Sequence, residues 1–146
     1  MSDCEIPGLT PRSAQALIDA GEALAHDVRT RILHSPRPVF LYYIEQTFSA
    51  LLRGLREGLE PNPDTPAQHL CLHLMISRTQ THGRMVDPDL IRLHRALIAD
   101  GGHEALVRAG RGGGGGAFDF VALGDALSPT GISAFFAPFE ADDMVA

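Results

Sequence analysis

Two histidines stand one helical turn apart in the stretch QHLCLHLMIS, residues 68–77. Side chains at i and i+4 lie above one another on a helix, so His69 and His73 can offer two imidazoles to one ion. A divalent metal needs at least one more ligand, which helical proteins supply from a facing helix. His94 and Glu45 are the residues that helical periodicity turns in that direction. His69, His73, His94 and Glu45 therefore form the candidate set for a divalent metal, with no other cofactor indicated. The plainer reading is a hydrogen-bonded polar seam in an apolar core, shared with Ser77 and Gln80. On a helical wheel His69, His73 and Gln80 fall within about 40° of one another. The sequence H-E-x-x-H is absent, so a zinc-protease centre fails for want of its general base.

A second group is basic. Arg78, Arg84, Arg92 and Arg95 cluster around one expected helix–helix turn, where guanidinium groups can take an anion or an acidic partner. Arg29 and His34 have an R-x4-H nuclease spacing, but His34 falls at a helix end. No Ser-His-Asp or Cys-His arrangement stands out. All twelve basic residues are arginine. The lack of lysine excludes Schiff-base and pyridoxal-phosphate chemistry and a Walker-type phosphate loop. Gly110, Gly112 and Gly115 satisfy G-x-G-x-x-G only because they lie in a glycine run. A dinucleotide site needs a strand before those glycines, and here a helix precedes them.

These residues must be held by helices. Ser/Thr/Asp-Pro pairs at 10–11, 65–66, 87–88 and 128–129 each combine a capping oxygen with a first-turn proline. At Thr65, Gln68 adds a capping-box signal. Helix 1 is expected from Pro11 to about His34, with Leu17, Leu24, Val28 and Ile32 on one face and Gly21 among them. Helix 2 is expected over Pro38 to Leu59, carrying a stripe of Leu41, Ile44, Phe48, Leu51, Leu52, Leu55 and Leu59. Tyr42 and Tyr43 fall off that stripe, as packing or interface residues. Helix 3, Pro66 to about His82, is apolar nearly all round and should be the most buried. Helix 4, Pro88 to Asp100, turns Leu90, Leu97 and Ile98 inward, and a short helix follows in HEALVRA.

The chain reads as one all-α domain of 146 residues: a helical body (1–109), a Gly-rich loop (110–117) and an acidic, Phe-rich segment (118–146). Five of seven phenylalanines lie in that last segment. Burying each is worth ~2 kcal/mol or more, so the segment is expected to dock on its own body or on another molecule. Residues 118–146 also carry five acids and no base within a net charge of −6. That balance argues against a nucleic-acid partner. The longest unbroken apolar run, Val39 to Ile44, is far too short to span a membrane. Without a signal-like start the default compartment is cytoplasmic, with Cys4 and Cys71 as free thiols.

The functional expectation is a non-catalytic interaction or regulatory module that binds a protein partner or a second copy of itself. A three-histidine metal protein and a small-molecule binder with its ligand in the helical core are the alternatives.

Overall fold

A computed structural model describes residues 9–63, 65–80, 87–100, 104–111, 118–127 and 135. The fold is all-α. Six helices are described: α1 (Pro11–Arg31), α2 (Pro38–Arg56), α3 (Pro66–Arg78), α4 (Pro88–Asp100), α5 (Glu104–Gly110) and α6 (Phe120–Ala126). A 3₁₀ turn, Ile32–His34, closes α1. There is no strand among the described residues.

The proline-based starts hold at α1, α3 and α4. Thr10 Oγ1 accepts from the amide of Ser13 at 3.2 Å, and Thr65 Oγ1 from that of Gln68 at 3.0 Å. Asp87 Oδ1 accepts from the amide of Asp89 at 2.9 Å. Each carboxyl or hydroxyl oxygen satisfies a donor that the first helical turn leaves without a backbone partner. The Ser128–Pro129 signal lies outside the described residues.

Helix α2 ends three residues before the expected Leu59. Gly58 has φ +84°, its amide donates to the carbonyl of Leu55, and the amide of Leu59 donates to that of Gly54. This paired closure is a Schellman motif, which glycine enters without the steric cost of a Cβ. Leu59 is thereby carried off the stripe and is exposed. Helix α3 also stops early, at Arg78, where Thr79 turns its hydroxyl back to the carbonyl of Ile76 at 2.6 Å.

The core is shared by all the long helices. Leu17 and Val28 from α1 meet Leu41, Ile44, Phe48 and Leu52 from α2, and Leu70, Met75 and Ile76 from α3. Helix α3 buries seven of its thirteen residues and is the central element, as its composition predicts. Gly21 is buried where α1 crosses its neighbours. A Cβ there would lie 2.8 Å from Leu52 Cδ2 and 2.9 Å from Met75 Cε, so glycine permits the close approach. On α4 the buried stripe is Leu90, Leu93 and Leu97, whereas Ile98 is exposed. The inward face is thus rotated toward Leu93 from the expected one.

The C-terminal segment docks on the chain's own body as far as it is described. Leu123 and Phe135 are buried in the common core, and Phe118, Phe120 and Val121 pack against it. Phe135 stacks on Phe40 with ring centroids 6.1 Å apart, and Phe120 meets Phe48 edge-on at 6.0 Å. Gly110 lies under the ring of Phe118, and its carbonyl accepts from the amide of Asp119 at 2.8 Å. The two ends of the glycine run are therefore pinned together. Phe136 and Phe139 lie outside the described residues.

Candidate functional site

The histidines lie on the one face of α3 that the core does not fully cover. Its buried residues leave open a wedge occupied by Pro66, His69, His73 and Ser77, all half-buried. Helix α4 approaches this wedge and brings His94 beside His73, with ring centroids 5.3 Å apart and planes at 39°. His94 is also half-buried, because it flanks the Leu90–Leu93–Leu97 stripe and does not sit in its middle. His73 Nδ1 is buried. The Nδ1 of His69 is 3.0 Å from the carbonyl of Thr65, one turn earlier on the same helix.

Glu45 faces another direction again. Its carboxylate takes the Nε of Arg29 at 2.5 Å, tying α2 to α1. Of the four candidate ligands, His73 and His94 meet, and Glu45 is paired with Arg29. Among the described residues no three His, Cys, Asp or Glu side chains gather to hold a metal ion. Gln80 follows the end of α3 and is exposed, so the expected seam does not extend to it. Cys71 is a free, fully buried thiol whose pKa is pushed up by that burial, which leaves it inert as a nucleophile.

Three of the four candidate arginines are described. Arg92 pairs with Glu60 at 3.3 Å, Arg95 is exposed, and Arg84 lies outside the described residues. Arg78 stands on the rim of a cleft of about 210 Å³ between α1, α3 and the segment leading into α6. Among the described acids of the C-terminal segment, Asp125 pairs with Arg37 at 2.8 Å. Both partners of that pair are largely exposed, so it contributes ~1 kcal/mol at most. Burial of Leu123 and Phe135 holds the segment more strongly than charge does.

A polar junction that no local pattern announces joins the N-termini of α1 and α4. Ser13 is buried, and its hydroxyl lies 2.8 Å from Asp87 Oδ2 and 3.1 Å from Asp89 Oδ2. The amide of Thr10 donates to Asp89 Oδ2 at 3.1 Å. That amide is the main cause holding the Asp89 carboxyl below its ordinary value of 3.8; partial desolvation opposes it, and the Ser13 and Thr10 hydroxyls and Arg92 assist. Asp87 Oδ2 and Asp89 Oδ2 fasten the start of α4 to that of α1, while Asp87 Oδ1 and Thr10 Oγ1 cap their own helices.

The surface feature that stands apart is the outward face of α2. Val39, Tyr42, Tyr43, Gln46 and Ala50 follow one another at helical spacing, and all are exposed. Val39 keeps 64% of its surface in contact with solvent, and Tyr42 and Tyr43 keep 49% each. The two tyrosine rings meet edge-to-face at 5.6 Å. Leu33, in the turn preceding α2, is 89% exposed. The face carries no charge until Arg53. The chain matches no family model, no curated protein and no solved structure.

Proposed function

We propose that the chain is a non-catalytic interaction module, and that the outward face of α2 is where it binds a protein partner. The observation that supports this reading is the run Val39, Tyr42, Tyr43 with Leu33 beside it. Single exposed apolar residues are common on proteins, but a contiguous, uncharged set is a mark of an interface. Tyrosine suits such a role, since its ring buries a large area at low conformational cost while its hydroxyl stays hydrated. The partner surface that fits is itself apolar and uncharged at its centre, because a charged one would be desolvated against this face without compensation. A second copy of the chain meets that description and is one such partner.

The test is site-directed photo-crosslinking in cells. A photoreactive residue at Val39 or Tyr42 is expected to give one discrete crosslinked product; the same probe at Gln15 or Asp19, on the exposed side of α1, is expected to give none. Mass spectrometry of the product distinguishes a self-crosslink from a different protein. Identical, diffuse labelling at all four positions would reject the proposal.

A further inference from the structure

The cleft beside α6 is a separate site, away from the α2 face. Its walls are apolar: Leu24 and Val28 from α1, Leu74 from α3, and Phe118 and Phe120 from the C-terminal segment. Its rim carries Arg31 and Arg78, the last residues of α1 and α3. Among the described residues neither guanidinium has an ion-pair partner. Two acids share the rim. Asp119 spends its Oδ1 on the amides of Val121 and Ala122, at 2.9 and 3.4 Å, as the cap of α6. Asp27 is exposed, as Arg31 and Arg78 are, and it too has no ion-pair partner among the described residues.

An apolar pocket whose mouth carries two guanidinium groups with no ion-pair partner among the described residues is complementary to an amphipathic anion. The geometry points to a binding site for a compact apolar carboxylic acid, its hydrocarbon body against Phe118, Phe120 and Leu74 and its carboxylate at Arg31 and Arg78. The volume of about 210 Å³ sets the size. A dry cavity of about 150 Å³ accommodates benzene, so this cleft suits an acid of on the order of nine heavy atoms, an aromatic ring with a short acid arm. Because residues 118–121 form part of the wall, the ligand would also fasten the C-terminal segment to the body, stabilising the folded chain by mass action.

The probe is phenylacetate, with phenylacetamide as its uncharged counterpart of equal size. Binding to the full chain is read by ligand-observed NMR and by the shift in melting temperature. Phenylacetate is expected to bind the wild-type chain and raise its melting temperature, and phenylacetamide to bind about tenfold more weakly. Arg78→Gln, a surface change that leaves the core intact, is expected to weaken phenylacetate about tenfold while leaving phenylacetamide unaltered. Val121→Trp, which fills the cleft from its wall, is expected to abolish binding of both. Absence of phenylacetate binding to the wild-type chain would overturn the proposal. Equal binding of acid and amide, or indifference to Arg78→Gln, would overturn it too.

Discussion

Ser13 shows how much one small polar side chain can fasten. Its hydroxyl reaches the carboxylates that open α4, more than seventy residues away in sequence. Ser13→Ala is expected to cost ~1–2 kcal/mol, since it removes a buried hydrogen bond to a charged group. Chemical denaturation measures this; an unchanged midpoint would show that the junction does not contribute. Asp89 adds a pH dependence. Its folded-state pKa is lowered from 3.8, so the folded state favours the ionised form. The stability this supplies is fully present above that ordinary value and is lost as pH falls through the depressed folded value. The melting temperature of Asp89→Asn should therefore lie below wild type at neutral pH, with the gap closing in acid. A gap that persists unchanged in acid would contradict the assignment. The Thr10 cap was legible from its Thr-Pro pair, whereas the link from Ser13 to Asp87 and Asp89 was not, because a contact between distant segments leaves no periodic trace. The histidine pair was legible in half: spacing put His69 and His73 on one face, but not which way each ring turns.

At the scale of the element, helix starts could be read and helix ends less well. Proline with a capping oxygen is a local signal, complete within two or three residues. The ends of α2 and α3 depend on Gly58 and Thr79, single residues whose effect rests on backbone geometry. The face of α4 was misjudged by one position because Leu93 and Ile98 are equally apolar, and only packing against α3 decides which is buried. Gly21 was legible as a member of the inward face of α1, and the structure shows that it admits Leu52 and Met75 there. Gly21→Val should destabilise the fold by ~1–3 kcal/mol, because an isopropyl group whose Cβ already crowds Leu52 and Met75 must enter a filled core. Denaturant unfolding checks this, and a neutral result would mean that the α1 crossing is looser than the contacts indicate.

For the molecule as a whole, the structure shows where the described part of the Phe-rich segment packs, which no periodicity in the sequence specifies. Phe135 is 2% exposed and stacks on Phe40. Phe135→Ala is expected to cost ~3 kcal/mol, the usual loss for a buried phenylalanine. A loss below the uncertainty of the measurement would indicate that the segment is held elsewhere. Among the described residues of this region, Phe118, Phe120, Leu123 and Phe135 are spent on the chain's own core. On the proposed reading the α2 face serves the partner: its exposed residues are uncharged, unlike the ion-paired α1 surface, where Arg29 meets Glu45 and Arg56 meets Glu22. The most direct test of that reading is the crosslinking yield at Tyr42 compared with Asp19. One discrete partner band at Tyr42, absent at Asp19, is the result expected of an interaction module. Equal labelling at both positions would contradict it.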